Sequence, residues 1–155
     1  MSDTRLRKLL RSAPRDRPVP VWVLLALLVG LGVRGLLGGG QFLLDPSGGV
    51  IGLTPAVLAG TPLDDFTLPG LILVTVFGVC PLIAAERLWR GASVGRLGGT
   101  VLGVALVAWV IVEGFVLGFG QRLQVPNLLY GIATAALARS PTVRSFVDED
   151  APSEE

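Results

Sequence analysis

The chain has 155 residues, 51% of them apolar and only 16% charged, with a mean hydropathy of +0.67, a balance outside the range of a soluble domain and typical of an integral membrane protein. A formal net charge of +1 supplies no global field to recruit nucleic acid. The absence of histidine and the single cysteine, Cys80, exclude imidazole metal sites, Cys-x-x-Cys redox pairs and an intrachain disulfide, and no metal or cofactor is expected.

Residues 1–18 form a basic segment in which Arg5, Arg7, Lys8, Arg11, Arg15 and Arg17 face only Asp3 and Asp16. Such a cluster directly before an apolar run stays on the cytoplasmic side. The first span is predicted at about 19–37, with Trp22 as an interfacial anchor and Pro20 tolerated in the first helical turn. The segment is expected to be retained rather than cleaved as a signal peptide: it is too long, contains Arg34, and is followed by no small-residue cleavage site.

Residues 38–68 form a long outer connection with three aspartates and no base. Asp45-Pro46-Ser47-Gly48 is a turn signal, Thr54-Pro55 offers an N-cap and a first-turn proline, and Thr61 with Asp64 repeats the device as a shortened capping box. The connection also carries Phe42, Val50, Leu53, Leu58, Leu63 and Phe66, too apolar a set for a solvated linker. One or two short interfacial helices covering the bundle mouth are expected, either sealing the helix ends or closing a pocket.

The second span is predicted at about 69–88, bent at Pro81, with Glu86, Arg87, Arg90 and Arg96 marking a cytoplasmic loop at its end. The third is predicted at about 99–119. Gly95, Gly99 and Gly103 recur at intervals of four, a stripe that serves either packing inside the bundle or a homodimer seam. The fourth, about 123–138, spans only ~24 Å at ~1.5 Å per residue, short of the ~30 Å hydrocarbon core. Arg139 and Arg144 return the chain to the cytoplasm, and the acidic segment 139–155 reads as a disordered tail. The prediction is therefore all-α: a four-helix transmembrane bundle over 19–138, multi-pass in the cell membrane, with both termini cytoplasmic.

The pattern Asp45-Pro46-Ser47-Gly48, Gly52-Leu53, Thr61-Pro62-Leu63-Asp64-Asp65-Phe66 and Pro69-Gly70, followed by Trp109 to Glu113, resembles a group of uncharacterised small four-span integral membrane proteins of bacteria and haloarchaea. The resemblance covers roughly 19–145. It implies the same four-helix architecture and outer connection, and no activity.

Only Arg34 and Glu113 place charge inside predicted spans, away from the basic flank. Arg34 lies fifteen residues beyond Val19 and Glu113 fourteen beyond Gly99, so at ~1.5 Å per residue both sit at similar depth. A lone charge at the bilayer centre costs on the order of 2.5 to 3.5 kcal/mol. An Arg34–Glu113 ion pair is expected, the alternative being an Arg34 that snorkels to the outer headgroups and a Glu113 that is protonated. Asp45, Asp64, Asp65, Gln121, Arg122 and Tyr130 are the candidate polar residues of an outer pocket.

No motif names a reaction, and no catalytic residue is predicted. The expectation is a non-catalytic membrane protein that scaffolds or binds a lipid, a small apolar molecule or a partner protein. Two alternatives stay open: a small transporter using Glu113, outlined like the small multidrug-resistance transporters although their carboxylate lies in the first span, and a carboxylate-based membrane enzyme.

Overall fold

The computed structural model describes residues 17–148, and these are all-helical, with no strand among them. Helix α1 runs Val19–Leu44, α2 Thr67–Trp89, α3 Ser93–Leu117, α4 Gln124–Ala138 and α5 Pro141–Asp148. The first three are long and apolar enough to cross a membrane. At 15 residues α4 is shorter, reaching ~22 Å at ~1.5 Å per residue.

The four longer helices alternate in direction, and successive neighbours pack: α1 on α2, α2 on α3, α3 on α4, and α4 back on α1. Arg122, in the turn between α3 and α4, therefore lies at one pole, while the helix ends that carry Arg17, Arg87, Arg90, Arg96, Arg139 and Arg144 gather at the other. There the Arg17 guanidinium lies 3.8 Å from the Trp89 ring centroid and donates to the Trp89 carbonyl at 3.1 Å, while Trp22 meets Trp89 edge to face. The opposite pole carries the connection from α1 to α2.

Helix α1 is seven residues longer than the predicted span, because Gly38, Gly39 and Gly40 are helical. Glycine costs ~1 kcal/mol in a helix interior, but here it allows close packing: a Cβ on Gly39 would meet the Gly70 carbonyl of α2 at 2.6 Å. Gly35 likewise abuts the Phe77 backbone. The connection is correspondingly shorter than 38–68.

Helix α2 contains a π-helical stretch at Leu73–Val79, then returns to α-helix at Cys80–Trp89. Pro81, where a bend was expected, lies just after this stretch. Proline cannot donate to the carbonyl one turn before it, and a wider register absorbs the misfit. The helix closes at Gly91, with φ +74°, where the Ala92 N–H reaches the Arg87 carbonyl and the Gly91 N–H the Leu88 carbonyl, a left-handed glycine stop.

The stripe Gly95, Gly99 and Gly103 is used within the chain. Gly95 abuts the backbone of Arg87 and Leu88, Gly99 faces Ala138 of α4, and a Cβ on Gly103 would meet the Ala135 nitrogen at 2.5 Å. Of its two expected roles, packing inside the chain is one that this geometry serves.

The segment expected to be a disordered tail is helical over Pro141–Asp148. Pro141 suits a first helical turn, and Val143, Phe146 and Val147 fall on one face, buried against α1, α3 and α4. Arg144 and Asp148 pair at 3.6 Å on the solvent side. The expectations for residues 1–16 and 149–155 lie outside the described residues.

Candidate functional site

The connection at the lid pole is folded by its own turns. Asp45 Oδ1 accepts from the Ser47 hydroxyl at 2.5 Å and the Ser47 N–H at 3.1 Å, and its Oδ2 accepts from the Val50 N–H at 3.0 Å. The Ser47 hydroxyl, then the Val50 amide, holds the Asp45 carboxyl below its ordinary pKa. Gly48, with φ +78°, lies against Phe66, whose ring a Cβ would meet at 2.9 Å, so both backbone and space require glycine there.

One or two short helices were expected here, and two follow, both of 3-10 form, at Gly49–Ile51 and Pro55–Leu58. The Thr54 side chain makes no cap bond. Thr61 donates to the Leu58 carbonyl at 2.8 Å and accepts from the Leu63 N–H at 3.3 Å, closing a turn rather than opening a helix. The carboxylate serving the start of α2 is not Asp64 but Asp65, which accepts the Thr67 N–H at 2.8 Å; that bond, with the Thr67 hydroxyl, lowers the Asp65 pKa. Asp64 is exposed.

Between this connection and the helices lies a cavity of about 220 Å³. Its roof is Leu53, Leu58, Leu63 and Phe66, the last stacked on Phe42 of α1 at 4.9 Å between ring centroids. Its walls are Pro69 and Ile72 of α2 and Trp109, Val112, Glu113 and Val116 of α3. Leu58 and Phe66 are each 3% exposed, so the roof is packed down onto the helices. Leu68 and Val112, also on the wall, are about half exposed and leave one side open.

Among the described residues, Glu113 is the only ionisable one lining this cavity. Its Oε1 accepts the Trp109 indole N–H at 2.9 Å, one turn back along α3. Trp109 in turn packs on Phe77 of α2, with ring centroids 5.8 Å apart. The carboxyl is thus aimed by an i, i+4 bond in a wall otherwise made of hydrocarbon and ring carbon.

Arg34 does not meet Glu113. It donates to the Asn127 side-chain oxygen of α4, and its guanidinium carbon lies 5.3 Å from the Tyr130 ring centroid. Tyr130 donates to the Leu27 carbonyl of α1 at 2.6 Å. The expected ion pair is replaced by separate partners: Arg34 turns to Asn127 and Tyr130 of α4, and Glu113 to Trp109 of its own helix beside α2 and the lid.

Of the other candidate pocket residues, none lines the cavity. Asp45, Asp64 and Asp65 belong to the turns, Tyr130 to the Arg34 cluster, and Gln121 and Arg122 are exposed in the turn between α3 and α4. Gln124 organises that turn, accepting from the Gly120 N–H and donating to the Gly118 carbonyl, both at 2.9 Å. Trp109, Asn127 and Gln124 were not predicted as site residues. Trp109 carried a signal, its spacing of four from the only carboxylate in the third span.

The fold and site define an all-helical membrane protein with a lidded apolar cavity at one pole. No protein-family model, curated protein or solved structure matches the chain.

Proposed function

We propose that this is a non-catalytic, multi-pass cell-membrane protein whose four longer helices cross the bilayer as a bundle, with both termini cytoplasmic, and whose outer lid closes over a binding site for a small apolar molecule or a lipid chain. The cavity carries the reading. Its volume of about 220 Å³ exceeds the ~150 Å³ of a dry cavity that holds benzene, and falls below the ~300 Å³ at which drug-sized pockets begin. Orientation is supported by the bases collected at the opposite pole.

The short α4 fits such a bundle through its packing on α3 and α1, with Thr134 bonded back to the Tyr130 carbonyl at 2.8 Å. Transport and carboxylate catalysis have less support. Both need polar groups converging on a path or a substrate, whereas Glu113 stands alone in the cavity wall and Asp45 and Asp65 are committed to turns.

Lipid and metabolite mass spectrometry on the purified protein tests the reading. A reproducible co-purifying molecule is expected from the wild type and its loss from Val116→Trp, which fills the cavity. Identical extracts from the two proteins would count against it.

A further inference from the structure

We infer that the lidded cavity selects an amphiphile carrying a single amine on a short hydrocarbon body, with the ammonium on Glu113 and the chain beneath the lid. This rests on the proposed binding function and names the ligand's chemistry.

The wall chemistry is asymmetric. Leu58, Leu63, Phe66, Ile72 and Val116 offer only carbon, so the body of any occupant gains by leaving water and by dispersion, with no polar group to answer. Against this stands one carboxyl, which accepts hydrogen bonds and attracts positive charge. Trp109 supplies one donor to Oε1 at 2.9 Å, and no hydrogen bond or ion pair to the second carboxyl oxygen is found among the described residues. The nearest candidate counter-charge by sequence depth, Arg34, is engaged on α4 instead. A carboxylate that no side-chain cation among the described residues neutralises, set in an apolar wall, is complementary to a ligand that brings its own cation.

Size limits the ligand further. About 220 Å³ holds a chain or ring of small-molecule size, not a whole phospholipid. One carboxyl matches one ammonium; a dication would leave its second charge among carbon. The open side at Leu68 and Val112 lets a longer tail continue out of the cavity toward hydrocarbon. A neutral alcohol of equal length fits the same space and can donate to the carboxylate, but it forfeits the attraction between opposite charges.

The test uses the full chain in lipid nanodiscs with two photoreactive probes, an octylamine and an octanol bearing the same diazirine, and maps labelled peptides by mass spectrometry. Both probes are expected to label the cavity walls in 63–72 and 109–117. The amine should half-saturate at a concentration roughly tenfold or more below the alcohol, because it adds an opposite charge to the hydrogen bond that both probes can make. Glu113→Gln keeps an acceptor for Trp109 but removes the charge. It should abolish the amine's advantage while leaving alcohol labelling intact, which also reports that the variant is folded. Equal half-saturation of the two probes on the wild type, or an advantage that survives Glu113→Gln, overturns the amine assignment and leaves the apolar site standing. Labelling by neither probe at the cavity walls overturns both, and the wild-type comparison decides even if the variant does not fold.

Discussion

Trp109 holds Glu113: the indole N–H donates to the carboxyl across one turn of α3 at 2.9 Å, and both side chains stand in the wall of the lidded cavity. Replacing the donor removes the partner of a largely buried acceptor, which costs ~1–3 kcal/mol. Trp109→Phe is therefore expected to melt earlier in detergent than Glu113→Gln, whose amide oxygen still accepts the indole proton. The reverse order of melting temperatures would show that the bond does not position the carboxyl.

The Arg34 cluster predicts a separate pattern. Asn127→Ala strips the guanidinium of its side-chain acceptor and should destabilise by ~1–3 kcal/mol. Tyr130→Phe, which loses the bond to the Leu27 carbonyl, should cost ~0.5–1.5 kcal/mol. A double-mutant cycle between Arg34→Gln and Glu113→Gln should give a coupling within ~0.5 kcal/mol of zero, as for sites that share no partner. A coupling of several kcal/mol would restore the direct ion pair.

Glycines separate into two groups with opposite responses to alanine. At Gly103 a Cβ would meet the Ala135 nitrogen at 2.5 Å and the Gly131 carbonyl oxygen at 2.7 Å, so α3 and α4 must part, at ~1–3 kcal/mol for an overpacked contact. Gly38 has nothing within 4 Å of such an atom, and alanine there should stabilise α1 by ~0.5–1 kcal/mol. Melting curves of the two variants should shift in opposite directions.

The turn at Asp45 carries a pH dependence of known sign. Its carboxyl titrates below the ordinary value of 3.8 in the folded chain, because Ser47 and Val50 donate to the ionised form. A depressed folded pKa means that the turn's contribution is fully present above the unfolded value and is lost as pH falls through the folded one. Amide exchange at Ser47 and Val50 should therefore accelerate, beyond its intrinsic pH trend, only below that ordinary value. Asp45→Asn should remove this acid-dependent step.

Much of the helical frame was legible because charge and hydropathy act along the chain. The bases of the α2–α3 turn and the start of α5 predicted which helix ends share a pole, and Pro81 announced the irregular turn of α2. Side-to-side information was not legible in the same way. Depth along an axis follows from counting residues, but Arg34 could be assigned to α4 rather than α3 only by knowing which helices are neighbours. Gly38 to Gly40 read as a loop because local propensity is poor, while Gly39 is held in α1 by its approach to Gly70. The α5 helix was hidden by its acidic continuation, although Pro141 with Val143, Phe146 and Val147 already has the spacing of a first turn and a buried face.

The central claim, that the lidded cavity takes up a small apolar group, is tested most directly by quenching of Trp109, which lines it, whereas Trp22 and Trp89 lie at the other pole. Dibromooctane titrated into the wild-type protein in nanodiscs should quench in two parts: a component linear in concentration from the bilayer, and a saturable one displaced by unlabelled octanol. Purely linear quenching, unaffected by octanol, would contradict the account.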